Sequence, residues 1–192
     1  MFLALLTACA LAGQVPIAVR GQQAALPVPQ RSPFVPTDVA ERMLELAGVT
    51  RNDVVYDLGC GDGRIAIAAA KKYGARAVGV EIDPKRVAQS NENAQKEGVS
   101  NLVRFVEQDT IDLSEATVVT MAIPQSAPWL GRNGLLRPTL TKHLKAGSRI
   151  VTTFVAGSMS EWKPSRVDRF TDARGNARAI LYLWTYDGTI SR

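Results

Sequence analysis

Histidine and cysteine are nearly missing from this 192-residue chain, which holds one of the former, His143, and two of the latter, Cys9 and Cys60. A single imidazole leaves little room for His-based metal clusters or for Ser-His-Asp and Cys-His catalysis, each of which needs a ring in a particular place. Two cysteines make neither a disulfide framework nor, by themselves, a four-ligand zinc site, so no metal is expected. Runs of five or six like charges are absent too. The net charge of +5 therefore reads as a solvated surface, without the basic stripe and interleaved aromatics of a nucleic-acid binder. What remains is a chain of about one domain's length with 46% hydrophobic residues, enough for a real core.

Charge is also missing from the start of the chain, where no charged side chain precedes Arg20. Met1 to Ala12 is an apolar run of the length of a signal-peptide hydrophobic core, too short to span a bilayer. Ala10-Leu11-Ala12 before Gly13 fits a cleavage site, and Leu6-Thr7-Ala8-Cys9 resembles the bacterial lipobox, in which the cysteine is lipidated. Neither pattern has its basic n-region here. The expectation is an exported or membrane-attached protein, the alternative a disordered tail on a cytoplasmic one. Residues 13–36, rich in Gln, Pro and Ala, read as a linker, which leaves 37–192 as the folded domain.

Within that domain, Thr37 is placed to cap a helix in which Val39, Met43 and Leu46 recur at i, i+4 and i+7 and which ends at Gly48. Asp53 to Leu58 is a short strand that runs through Gly59-Cys60-Gly61-Asp62-Gly63 into a helix from Arg64 to Lys72. A second strand spans Ala77 to Ile82, and Asp83 with Pro84 opens a helix running to Gly98. Leu102 to Val106, Thr117 to Ala122 and Arg149 to Val155 are further strands, with a helix over Leu135 to Leu144. Strand-helix alternation with near-continuous apolar strands predicts an α/β protein whose parallel sheet is covered on both faces. Arg166 to Phe170 and Arg178 to Tyr186, joined by a turn-rich connection, predict a closing antiparallel hairpin.

The chemical signal lies in Asp57-Leu58-Gly59-Cys60-Gly61-Asp62-Gly63. Glycines between a strand and a helix let the backbone turn sharply and approach a ligand, beside the free N–H groups of the helix start. A dinucleotide fingerprint needs G-x-G-x-x-G, but its third glycine falls on Arg64, and no phosphate-binding lysine follows the loop. Glu81, ending the second strand, can accept hydrogen bonds from both hydroxyls of a ribose, and Asp109 after the third can meet an adenine amino group. An acidic pocket of this kind suits a ligand with a positive centre and no phosphate, as S-adenosylmethionine is. Taken singly, Asp57 could cap the next helix, Glu81 could be a solvated loop acid and Asp109 could form an Asx-turn. Their coincidence on successive strand ends, at the edge where open sheets bind ligands, favours the cofactor site.

These residues resemble the first three motifs of the class I S-adenosylmethionine-dependent methyltransferases. More narrowly, Phe34-Val35-Pro36-Thr37, the stretch from Val54 to Ile65, Ile123-Pro124-Gln125, Leu144 to Arg149 and Trp162-Lys163-Pro164 are similar to a small family. Its characterised members are mitochondrial protein-lysine methyltransferases of the ATP synthase c-subunit and the adenine nucleotide translocase. The resemblance implies a Rossmann-like class I fold, with a mostly parallel seven-stranded sheet, a C-terminal antiparallel hairpin and helices on both faces. It also implies S-adenosyl-L-methionine as cofactor and a protein lysine as acceptor. Gly59, Gly61 and Gly63 would bring backbone amides against the methionine moiety, and Asp57 would hold its ammonium, directly or through water. Glu81 would bind the ribose, while Asp109 and Thr110 would face the adenine. Pro124 and Gln125 would line the position of the target nitrogen. Ser126 to Leu136 and Thr153 to Glu161 depart from the family's pattern near the substrate side. A small-molecule or lipid acceptor at a membrane, or a non-catalytic cofactor-binding protein, therefore stays open.

Other reactive residues read more plainly. Cys60 is a small spacer in the loop, since methyl transfer is a direct displacement that needs no covalent enzyme intermediate. His143, between Lys142 and Lys145, is expected on a solvent-facing helix surface. Trp162, Tyr182, Trp184 and Tyr186 belong to the core and hairpin, and Trp129 is either a substrate contact or a packing residue.

Overall fold

The computed structural model describes residues 34–107, 112–122, 140, 142–153 and 163–188. Strands β1 (Val54–Leu58), β2 (Arg76–Glu81), β3 (Val103–Glu107), β4 (Val118–Met121), β5 (Arg149–Thr152), β6 (Arg166–Thr171) and β7 (Ala177–Thr185) form one sheet in the order β3-β2-β1-β4-β5-β7-β6. The first five are parallel, and β7 runs antiparallel to both β5 and β6. All five residues of β1 are buried, as a central strand covered on both sides requires.

Helices α1 (Thr37–Ala47), α2 (Arg64–Tyr73) and α3 (Pro84–Lys96) follow apolar periodicity and supply one core cluster, in which Met43, Leu44, Ile65, Ala66 and Ala94 meet Val55, Ala77, Val118 and Val151. The alternate residues of the same strands, among them Tyr56, Val80, Met121 and Ile150, point the other way and pack with Leu113, Leu140, Leu144 and Trp184. Of the helix expected from Leu135 to Leu144, Leu140 and residues 142–144 are described; Leu140 and residues 142–143 are helical, and Leu144 lies just past the helix end. A hollow of about 720 Å³ opens on this second face along β1 to β3, lined in part by Tyr56, Arg104 and Glu115.

Two local expectations are corrected. Thr37 is not the cap of α1 but its first residue. Pro36, extended at φ −58° and ψ 149°, holds the cap position, and its carbonyl accepts the Ala40 N–H at 2.9 Å, so the helix begins one residue earlier. His143 is half-buried rather than solvent-facing, with Nδ1 3.4 Å from Asp112 Oδ1, because its helix lies beside the 112–116 segment on the second face. Asp83 behaves as expected, accepting the Lys85 N–H and preceding Pro84.

A part-buried ion pair helps tie the layers together. Arg149 on β5 bonds Asp53 just before β1, and donates from Nη1 to the carbonyls of Ala47 (2.7 Å) and Gly48 (3.1 Å) at the end of α1. Burial acts to raise the Asp53 carboxyl, but hydrogen bonds from Thr117 and Thr50 together with the Arg149 charge hold it below the usual carboxylate range. Arg149→Ala leaves that buried acid without its cation, so it is expected to lower unfolding free energy by about 2 kcal/mol. Chemical denaturation checks this by a shifted midpoint at unchanged slope.

Candidate cofactor site

The site begins with a row of neighbours across the sheet. Register places Phe105 of β3 beside Gly79 of β2, Gly79 beside Asp57 of β1, and Asp57 beside Thr120 of β4. Side chains in such a row stand on the same face and touch their neighbours. Thr120 is fully buried, and its hydroxyl donates to Asp57 Oδ1 at 2.8 Å. On the other side the missing Gly79 side chain leaves space that Phe105 and the Cys60 thiol fill. A Cβ at Gly79 would stand 2.4 Å from Phe105 Cδ1 and 2.8 Å from Cys60 Sγ.

Asp57 itself is 1% exposed, and its Oδ2 has no hydrogen-bond partner among the described residues. Burial, opposed by the Thr120 bond and reinforced by the charges of Asp62 and Glu81, pushes its carboxyl up to about 7. A buried acceptor in that condition is costly unless a partner arrives. It does not cap α2: Gly63 holds that helix's cap position, with no side-chain cap bond. Burial also pushes the Cys60 thiol far up, with help from the Asp57 and Glu81 charges, which suits a packing residue and not a nucleophile.

Above this row lies the glycine loop. Gly59, Gly61 and Gly63 have φ of 74°, 60° and 82°, a region that disfavours any side chain. Their own N–H groups are engaged internally, Gly59 to the Val80 carbonyl (2.8 Å), Gly61 to Glu81 Oε2 (3.0 Å) and Gly63 to the Cys60 carbonyl (3.0 Å). The glycines thus contribute shape more than donors. Helix α3 braces the loop from behind: Ser90 Oγ donates to the Gly61 carbonyl at 2.9 Å, and Asn93 Nδ2 to that of Asp62 at 3.0 Å.

Glu81 ends β2 with its carboxylate against the loop. Oε2 takes the Gly61 N–H, and Oε1 takes the N–H groups of Ile82 (2.9 Å) and Asp83 (3.2 Å). Ile82, immediately after it, is 60% exposed, a large apolar side chain presented at the sheet's carboxyl edge. The structure therefore gathers Asp57, Gly59, Gly61, Gly63 and Glu81 at one end of β1 and β2. Asp109, Thr110, Pro124 and Gln125 lie outside the described residues. Sequence reasoning missed Thr120, Ser90, Asn93 and Ile82. A threonine inside the buried run Val118-Val119-Thr120-Met121 was the available signal for the first, because a buried hydroxyl needs a partner.

An orphaned buried carboxylate, an acid on the adjacent strand end and a glycine loop between them, at the carboxyl edge of a parallel sheet, suit a ligand that brings a cation and a diol without phosphate. This fold and site define an S-adenosylmethionine-dependent methyltransferase with S-adenosyl-L-methionine as its cofactor. The chain belongs to the ANTKMT methyltransferase domain family, whose model matches residues 57–166. It is 42% identical over 156 residues to the protein-lysine N-methyltransferase of Saccharolobus islandicus, a match covering 79% of this chain and 92% of that one. With the lysine N-methyltransferase of the ATP synthase c-subunit from Xenopus laevis it shares 31% identity over 160 residues, 81% of this chain and 63% of the other. The crystal structure of an RNA methyltransferase from Salinibacter ruber in complex with S-adenosyl-L-homocysteine is similar at a TM-score of 0.70 and 42% identity, covering 83% of this chain and 97% of that one.

Proposed function

We propose that this methyltransferase transfers its methyl group to a lysine side chain of a protein substrate. The observation that supports this reading most is the Saccharolobus relative named a protein-lysine N-methyltransferase, 92% of whose length this chain matches. The bound cofactor supplies an electrophilic methyl on a sulfonium, so the protein's part is to hold donor and acceptor in line and to exclude water. Asp57 offers its unpartnered oxygen to the ammonium of the methionine moiety, Glu81 its carboxylate to the ribose hydroxyls, and Ile82 an apolar surface to the adenine. The acceptor amine attacks as the free base, which a desolvated site promotes. In this reading Pro124 and Gln125 line the amine's position, Asp109 and Thr110 the adenine.

A second reading is favoured by one observation: the Salinibacter structure carries the description of an RNA methyltransferase at the same 42% identity. Incubating the purified protein and methyl-labelled cofactor with separated protein and RNA fractions decides between the two. The lysine reading expects label in the protein fraction, recovered as methyl-lysine after hydrolysis. Label in RNA alone would replace it, and label in a lipid extract would support a lipid acceptor.

A further inference from the structure

Phe34 stands outside the logic of the core. It is a member of neither apolar cluster, whereas its neighbour Val35 packs against the first. Its ring lies instead on the outer side of the glycine loop, where a Cβ on Gly61 would sit 2.8 Å from Phe34 Cδ1 and Cε1. Two guanidinium groups hold it there. Arg64 lies 5.0 Å from the ring centroid and Arg86 lies 5.5 Å from it, both within cation-π range.

Each arginine is anchored to a part of the site. Arg64 binds Asp62 of the loop through Nε (2.9 Å) and Nη2 (2.5 Å), and reaches back with Nη1 to the Val35 carbonyl at 2.7 Å. Arg86 approaches Glu81 Oε2 at 3.9 Å and Asp83 Oδ2 at 3.8 Å. It occupies the same face of α3 as Ser90 and Asn93, at i, i+4 and i+7, the two residues that grip the loop from behind. Residues 34–36 therefore form a strap tied to the loop by Arg64 and to the ribose-side acid by Arg86. Its one aromatic ring covers Gly61, the residue whose N–H meets Glu81.

We infer that Phe34, clasped between Arg64 and Arg86, is a positioning residue for the cofactor, closing the mouth of the glycine loop on the side of Glu81. The inference rests on the cofactor's occupying this loop. A ligand gripping Glu81 beside Gly61 comes against the ring, which shields that contact from water and strengthens it. Removing the ring opens the loop to solvent without touching the core.

Calorimetric titration with S-adenosylmethionine and S-adenosylhomocysteine needs no knowledge of the acceptor. Phe34→Ala is expected to raise both dissociation constants about tenfold and to leave the unfolding midpoint of the cofactor-free protein within about 2 °C. Phe34→Tyr, which keeps the ring, restores binding to within about twofold, and Arg86→Gln weakens it about threefold. Once a substrate is in hand, Phe34→Ala raises KM for the cofactor with kcat at saturation unchanged within about twofold. Dissociation constants equal to wild type in Phe34→Ala overturn the inference. So does a loss of affinity that Phe34→Tyr does not rescue. If Phe34→Ala does not fold, Arg86→Gln carries the test, and wild-type affinity there overturns it. Failure of the wild-type protein to bind either ligand refutes the placement of the cofactor itself, a separate outcome.

Discussion

Replacing Asp57 by Asn lowers the affinity for S-adenosylmethionine about a hundredfold, with no loss of stability in the cofactor-free protein. The reason is the unpaired oxygen. Among the described residues, buried Asp57 accepts one hydrogen bond, from Thr120, and its Oδ2 has no partner. Asn preserves the outline and the Thr120 bond but offers a neutral amide where the proposed site would receive the ammonium group. Losing a charge-assisted bond in a desolvated site costs about 3 kcal/mol, which is about two powers of ten in affinity. The pH dependence separates this account from simple misfolding. With its carboxyl raised to about 7, Asp57 is protonated in the empty protein at lower pH, and binding a cation must expel that proton. The dissociation constant therefore falls about tenfold per pH unit as pH rises toward 7 and levels off above it, while Asp57→Asn is flat through the same range. For the empty protein the sign is opposite. A carboxyl raised on folding favours the folded state at low pH, and its contribution is lost as pH climbs from about 4 through 7. At pH 8 the Asn variant is thus expected to unfold at the same temperature as wild type, or above it.

The other large effect is structural. Gly63→Ala lowers unfolding free energy by about 3 kcal/mol. At φ 82° an alanine is strained by about 1 kcal/mol or more, and its Cβ would lie 2.6 Å from Phe105 Cζ and 3.0 Å from Ser90 Cβ. Overpacking of a closed core adds about 1–3 kcal/mol. Phe105 is a stiff ring, 7% exposed, and the Gly79 gap it fills leaves it nowhere to retreat. The double variant Gly63→Ala with Phe105→Leu is expected to be less destabilised than the sum of the two single changes, since leucine removes the clashing ring edge. Denaturation of the four proteins measures the coupling. Strict additivity would show that the glycine is needed for its backbone angle and not for space beneath the loop.

Much of this architecture is legible in the chain's periodicity. The apolar strands, the Asp83-Pro84 helix start and the acid-glycine loop announce a parallel sheet with a ligand edge; six strands fall within a residue or two of the expected spans, while β5 ends at Thr152, before the expected Val155, with Thr153 already outside it. Register is what the sequence conceals. Nothing in Val118-Val119-Thr120-Met121 says which strand lies alongside, so the Thr120–Asp57 bond and the Phe105–Gly79 fit emerge only once β4, β1, β2 and β3 are aligned. The loop glycines read as ligand-facing donors, whereas their N–H groups are spent on Val80, Glu81 and Cys60, and the space at Gly61 and Gly63 is taken by Phe34 and Phe105. The sequence shows Phe34 as part of a motif but not its place against the loop. Prolines at positions 33 and 36 give the segment the composition of a linker, and the arginines that hold the ring are 30 and 52 residues further along.

Whether a cation completes Asp57 within this loop is decided by titration calorimetry of the wild-type protein with S-adenosylmethionine at pH 6, in two buffers of different ionisation enthalpy. Binding at one site per chain is expected to release nearly one proton at pH 6, fewer as pH rises toward 7, and none in Asp57→Asn. Binding without proton release at pH 6, or no binding at millimolar cofactor, would refute the placement of a cation at Asp57.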